Sequence, residues 1–562
     1  MRFLLLLLLF PFFAAVAQTG SRQIELLNAN SLQYDERLGN NAKRLLGDVR
    51  FRHEGVLMYC DSAYYYDNNK LDAFGHVLLV QGDTLTLQGE LMHYDGNEKK
   101  ADIEKNVVMN EKKLTLTTRR LLYDIHSGIA HYPEKGKIVS EENTLTSETG
   151  YYYSRDKMMH FRRQVVLVNP DYTIKTDTMK QHTVTEVSYF LGPTHITGSK
   201  GESIYCENGW YNSRTDEARF GKNSVLNNKS QTISGDSLYY NKQKGYGYAR
   251  NHVMIHDTSE KLILSGQFAE LFEKEDYSYI TGEALMRQYD ATDTLFLHAD
   301  TLKSTYDSVY FQEKKTFEKK QKTPKVSSRK KKEQAPPSEP FRNDSLADRH
   351  RLILAWHGVR FYKKDMQGVC DSLSYGGSDS LMKMYVKPVL WNEKNQLTGD
   401  HIRVKFSNGK MYYLDLLNNC FIGSMMDSMR YNQIKGKKIR GIFTDNELHD
   451  IRVRGNAESI YYARDDEDSS YIGINRAVSK DMFIKMKKNK VEKISFLDAP
   501  DATMHPIKGS RPEDFMIRGF TWFSGRRPIS RSDIFRKELQ PLVPSGSPAK
   551  EEKEKTKNST TR

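Results

Sequence analysis

The sequence predicts an all-β protein, elongated and assembled as a solenoid-like stack of repeated units, and three observations predict it. The first is the stretch from Val56 to Asp83. An apolar and aromatic segment (Tyr59, Cys60, Asp61, Ser62, Ala63, Tyr64, Tyr65, Tyr66) meets a polar turn at Asp67, Asn68 and Asn69. The chain returns through Leu71 to Phe74 and Gly75, runs out through Val77, Leu78, Leu79 and Val80, and turns again at Gln81, Gly82 and Asp83. Short segments rich in β-branched and aromatic residues, bounded by Gly, Asn and Asp and without helical spacing, are strands joined by tight turns. The second is recurrence. The residue that ends the first strand reappears as Tyr34, Tyr65, Tyr94, Tyr123, Tyr152, Gln181, Tyr211, Tyr240, Leu271 and Ser304, then as Tyr375, Val404, Tyr431 and Tyr462, in steps of 27 to 33 residues and most often 29. Such a period marks a stacked array. The third is an acidic or amide residue four places earlier, at Asn30, Asp61, Glu148, Glu207, Asp236, Asp300, Asp371, Asp400, Asp427 and Glu458.

The chain begins with a charged start, an apolar run from Phe3 to Phe13 and Ala15-Val16-Ala17, the pattern of a cleavable secretory signal peptide over residues 1–17. A periplasmic location follows, with association at the outer membrane open. Repeats are expected over 18–306 and again over 346–499, separated by an insertion at 307–345. A C-terminal cap segment (500–540) and a disordered tail (541–562) complete the chain. Residues 500–528 are rich in Pro, Gly and aromatics and are expected to fold over the end of the stack. Ser530 to Leu539 reads as a short helix begun by Ser532 and Asp533. At 562 residues one globular core is improbable, whereas each unit of a stack buries its apolar face only against its neighbours.

The formal charge of +13 is local. Between Lys314 and Lys332 ten Lys or Arg face the single acidic Glu318, so nine of the thirteen charges lie in the insertion. That Pro-containing basic stretch reads as a disordered spacer. The remaining field is too weak to suggest nucleic acid. Cys60, Cys206 and Cys370 stand just before the recurrent acidic position, in different repeats and so too far apart to pair. They read as small buried fillers, with Cys370 and Cys420 the one pairing left open.

Each repeat also carries an apolar strand that starts at Gly, Asn or Gln, with alternate residues on one face. Its members are Val49 and Phe51, Val77 and Leu79, Val107 and Met109, Val165 and Leu167, Val253 and Ile255, and Val359 and Phe361. Stacked units line these residues up in rows, and the residue pattern alone leaves equal room for a dry core and for a groove open to a ligand.

The exported start, the leading block Leu27-Asn28-Ala29-Asn30-Ser31-Leu32-Gln33-Tyr34-Asp35, and the alternation of "acidic, x, x, x, Tyr" with "Gly, x, Val, x, Phe" resemble the LptA/OstA family, the organic solvent tolerance proteins of lipopolysaccharide transport. The resemblance is clearest from Ile24 to Leu167 and continues loosely to Tyr462. It implies an open β-jellyroll of two facing sheets whose interior holds acyl chains, with the twelve row residues as lipid-binding candidates. It further implies units that join edge to edge with other lipopolysaccharide-transport components. The chain differs from the short members by its many units and basic interruption, and it lacks the alternating ten-residue strands of a membrane barrel.

No Gly-x-Ser-x-Gly, phosphate-binding Gly-rich loop or His-Glu-x-x-His occurs, so neither an enzyme nor a cofactor or metal is expected. The acidic run Asp465 to Asp468 reads as a solvated turn. The expected function is carriage of lipopolysaccharide toward the outer membrane, in outer-membrane assembly. The alternatives are a structural or adhesive envelope solenoid with a dry core and, less favoured, a carbohydrate-active β-helix.

Overall fold

The computed structural model describes residues 23–34, 42–228, 230–290, 293–322, 350–407, 409–444, 447–465, 470–487 and 490–537. The expected signal peptide and C-terminal tail lie outside the described residues. The recurrent strand is 11 or 12 residues long, as in Lys43–His53, Val56–Tyr66, Lys70–Gln81, Leu85–Asp95 and Lys100–Glu111, each pairing antiparallel with the next, and elsewhere its place is taken by two short strands of 4 or 5 residues.

These strands do not run straight. In the middle of alternate strands two successive residues take left-handed backbone angles: Gly47 and Asp48, Gly75 and His76, Lys105 and Asn106, Arg163 and Gln164, Lys222 and Asn223. The ladder loses register there, between Leu46 and Val49 and again between Phe74 and Val77. A bulge of this kind bends the strand. Gly and Asn suit these positions because a positive φ costs them least. The recurrent acidic residue of the facing strand sits against each corner. Asp61 Oδ2 lies 2.7 Å from His76 Nδ1, Asn106 donates to Glu90 at 2.5 Å, Asn223 donates to Glu207 at 2.7 Å, and Asn419 donates to Asp400 at 3.1 Å. A residue type that recurs once per repeat thus secures a bend that recurs once per repeat.

The bends fold the sheet back on itself. In a flat sheet His53 would stand level with Leu85, nine residues along the strand from Tyr94 and so about 30 Å away. Yet His53 Nδ1 and the Tyr94 hydroxyl lie 2.6 Å apart. Each strand therefore contributes one half to each of two facing layers, with the corners along one side and a mouth along the other. This is the two-layered open jellyroll expected. The marker tyrosines point inward and alternate with small or slender residues of intervening strands: Leu71 pairs with Tyr94, Tyr94 with Ala101, Ala101 with Tyr123, Tyr123 with Ala130, and Ala130 with Tyr152. Large and small side chains facing each other across strands fill a layer without voids.

The chain divides into two compact units, Met1–Ser259 with Phe268–Glu275, and Glu260–Gln267 with Asp276–Arg562. The division does not fall at the basic insertion, because Thr294–Tyr306 and Arg351–Tyr362 on either side of it are hydrogen-bonded neighbours within the second unit. Part of that insertion is ordered, against expectation: Ser308–Lys322 is a helix. The Asp307 carboxylate accepts from the N–H groups of Val309 and Tyr310, Tyr310 is buried and stacked on Tyr306, and Lys314 pairs with Asp276. A capped run of Lys, Glu and Gln is a good helix former once one side chain anchors it. Residues 323–349 lie outside the described residues.

In the second unit the C-terminal segment lies across a sheet face rather than only over an end. Three glutamines hold it. Gln433 donates to Phe515 O and accepts from Ile517 N–H, Gln396 donates to Thr521 O and accepts from Phe523 N–H, and Gln367 accepts from Arg527. Each of the first two presents a carboxamide that pairs with the strap as another backbone would. Beneath the strap Phe515, Ile517 and Phe520 pack on Phe421, Ile460, Tyr462 and Ile474, and Phe523 packs on Val369, Val389 and Trp391. The end of the strap is a single 3-10 turn, Asp533–Phe535, where a longer helix was expected.

Candidate functional site

Strand pairing places the predicted row residues in two lines. Nearest the corners, Val49 faces Cys60, Val77 faces Gly89, Val107 faces Thr118, Val165 faces Thr176 and Val359 faces Cys370. A branched chain opposite a small residue suits the tight inner side of a bend. All four cysteines are free and buried, so Cys370 and Cys420 are not paired. Burial pushes the Cys60 and Cys370 thiols up to about 12, which leaves them unreactive fillers.

The second line is longer. In the first unit it passes from Phe51 through Met58, Leu79, Leu87, Met109, Leu116, Ile138, Leu145, Leu167, Ile174, Ile196, Ile204, Leu226 and Ile233 to Ile255, every neighbour in direct cross-strand register. No polar side chain interrupts it. Its environment changes partway. From Phe51 to Ile174 every member is at most 7% exposed, whereas Ile196, Ile204, Leu226, Ile233 and Ile255 are all partly exposed. Of these five only Ile255 was among the expected residues. Of the other four, Ile196 and Ile204 lie on the short strands Thr194–Gly198 and Ser203–Cys206, and Leu226 and Ile233 on the long strands Glu217–Asn228 and Gln231–Asn241, all in segments where apolar and polar residues are mixed. No apolar run marks them in the sequence.

The closed part is held by bonds across the mouth. Ile24 N–H donates to Asn69 at 2.9 Å and the Tyr65 hydroxyl donates to Ile24 O at 3.1 Å. Tyr94 meets His53, Tyr123 donates to Gln81, and Tyr152 bonds Glu111. Lys99 pairs with Glu54 at 2.7 Å and Lys157 with Glu111 at 3.0 Å. Burial raises the Tyr94 and Tyr152 phenols, with the Glu111 carboxylate adding to the second, and pushes Tyr123 up to about 12. The series of cross-mouth hydrogen bonds lapses where the repeat places Gln181 opposite Ser188, and the next marker, Tyr211, meets Tyr172 ring to ring at 5.9 Å. From there on the apolar row becomes accessible.

Behind the closed mouth little space is left. A void lined by Met109, Leu116, Ile138, Tyr152 and Phe161 measures about 10 Å³, the room of one water. In the second unit the row runs Met286, Leu297, Phe361, Gly368, Leu390, Leu397 and Ile422 and ends on Ser459 and Ala477. The Phe361 ring there fills the space a side chain at Gly368 would occupy. A cleft of about 630 Å³ runs along Tyr66, Asp72, His93, Asp102 and His131, where Asp72 meets Tyr66 and His93 and Asp102 meets Arg120. Among the described residues no cluster of three His, Cys, Asp or Glu could hold a metal.

The fold is an open two-layered β-jellyroll with an apolar interior row, and sequence comparison agrees with it. Residues 21–177 match the family of OstA-like proteins, and over that stretch the chain is LptA/OstA-like. No curated protein sequence matches the chain. Among solved structures it is similar to LptH of Pseudomonas aeruginosa, described as the LptA-homologous periplasmic component of a lipopolysaccharide transport device. That likeness has 12% identity and a TM-score of 0.20, and covers 25% of this chain and 95% of that one.

Proposed function

We propose that this is a periplasmic lipid-binding protein of the lipopolysaccharide-transport type, which takes acyl chains into the apolar row and carries lipopolysaccharide toward the outer membrane. One observation carries the reading: an apolar line fifteen residues long that passes without a polar break from a sealed section into an accessible one. Each methylene that leaves water for such a surface contributes about 0.8 kcal/mol, while a polar headgroup can stay outside. Identical neighbouring sites let a chain slide with small barriers. The accessible section from Ile196 to Ile255 is the entry surface, and the sealed section admits a chain when the mouth bonds release. The expected residues Val49, Phe51, Val77, Leu79, Val107, Met109, Val165, Leu167, Val253 and Ile255 line this path. Val359 and Phe361 take the same place in the second unit.

The dry-core alternative draws support from the packing between Phe51 and Ile174. It does not account for five large aliphatic residues kept at the surface in one row. Native mass spectrometry of protein purified from its own envelope, followed by lipid extraction, separates the two. Co-purified lipopolysaccharide that is lost in Ile204→Glu and Ile233→Glu variants supports transport. A lipid-free protein that also takes up no added lipopolysaccharide leaves the structural solenoid.

A further inference from the structure

The second unit carries a line of cations on the outer face of its strands, in the halves beyond the corners, away from the strap. Lys383 stands opposite Arg403, Arg403 opposite Asp415, Asp415 opposite Arg440, and Arg440 opposite Arg452. Beside this line, Lys438 stands opposite Arg454. Three pairs of like charges therefore face each other directly, at the cross-strand spacing where like charges repel. Two carboxylates stand in this face, Asp415 within the line and Asp481 opposite Arg454. Asp415 is claimed by Arg440 through a two-fold fork at 2.6 and 2.5 Å. Among the described residues no carboxylate lies within ion-pair distance of Lys383, Arg403, Lys438, Arg452 or Arg454. The first unit balances its charges differently: there Asp72 meets His93 and Asp102 meets Arg120.

Aromatic rings accompany these cations. The Arg440 guanidinium lies 4.7 Å from the Tyr413 ring centre and the Arg452 guanidinium 5.9 Å from that of Phe483. Planar guanidinium forks match phosphate oxygens in pairs. Rings beside cations suit the boundary between headgroups and acyl chains, where one part of a side chain is wet and the other is not.

We infer that this face docks on an anionic bilayer, with Lys383, Arg403, Lys438, Arg452 and Arg454 contacting phosphates of the lipid headgroups. Repulsion that the free protein tolerates is relieved when the headgroup phosphates lie between the cations. The contact is separate from the apolar row, so the two stand or fall independently. The screening length of roughly 10 Å at 0.1 M salt makes the contact sensitive to ionic strength.

The test is flotation of the mature protein with phosphatidylcholine vesicles, with and without phosphatidylglycerol, at two salt concentrations. The wild type is expected to float with the anionic vesicles only, and less at high salt. Arg452→Gln combined with Arg454→Gln is expected to weaken binding roughly 25-fold, the loss for two cations near an anionic surface. The same variant removes like-charge pairs, so its Tm is expected to be unchanged or raised, and lipid that co-purifies in the interior is expected to stay. Equal binding to neutral vesicles, or undiminished binding by a folded double variant, overturns the proposal.

Discussion

Two sections of the first unit, Phe51 to Ile174 and Ile196 to Ile255, share one apolar line and one strand architecture but differ in what crosses the mouth. The first has a tyrosine from each repeat bonded to the facing layer, and its interior is closed to about one water. In the second, Gln181 stands where the tyrosine would be, Tyr211 meets Tyr172 by a ring contact alone, and the same row is partly exposed. Burial of this row is thus decided at the mouth and not by the row itself. The lesson is that a repeat can carry a constant binding surface and a variable closure.

The largest expected effect breaks the closed section. Phe51→Ala should cost about 3–5 kcal/mol, since the ring is 1% exposed among packed neighbours, whereas Ile204→Ala in the open section should cost about 1 kcal/mol. Urea unfolding of the two variants measures the contrast, and equal costs would mean that the sections are packed alike. Next in size, Tyr94→Phe removes the hydroxyl that meets buried His53 and should cost about 1–2 kcal/mol. Hydrogen exchange should accelerate around residues 53 and 94 and not around Ile204, and uptake of added lipid into the first section should rise.

Alkali should open the same mouth. The Tyr123 phenol is raised to about 12 by burial, above its unfolded value of about 10. Between these values the folded state keeps a proton that the unfolded state has lost, so the contribution of this group is complete below pH 10 and disappears as pH rises toward 12. Tyrosinate absorbance should therefore appear late and together with faster exchange across the mouth. Normal ionisation near pH 10 without opening would remove Tyr123 from the closure. The smallest effect is that of Lys99→Ala. Its pair with Glu54 is partly solvated and should contribute no more than about 1 kcal/mol, read as a slight fall in Tm at low salt and none at high salt.

Much of this was legible in the chain. The marker tyrosines announced the repeat, and the alternate apolar residues such as Val49 and Phe51 announced rows along the stack, because a period of two along each strand and of about 29 along the chain leaves each one position per layer. The acidic residue four places earlier was legible as a regular feature, but not as the partner of a bend, because the corner it secures lies on the facing strand. Regular spacing could not show where a tyrosine hydroxyl finds its partner, since His53 and Tyr94 are 41 residues apart in sequence and meet only after the sheet folds over. It also overlooked Ile196, Ile204, Leu226 and Ile233, whose neighbours along the chain are mostly polar, so that no apolar run marks them. The helix at Ser308–Lys322 was hidden for a related reason: its composition is that of a solvated spacer, and the burial of Tyr310 that steadies it is a tertiary contact.

By itself the sequence determined the strands, their turns, the corners and the inward rows, because alternation, left-handed tolerance and repeat length are local properties carried by individual residue types. Only the tertiary structure decided which part of the apolar line is sealed, how the glutamines seat the C-terminal strap, and which cations stand opposite one another. Each of these depends on register and on distance across the folded sheet, and neither quantity exists until the strands have paired and the layers have closed.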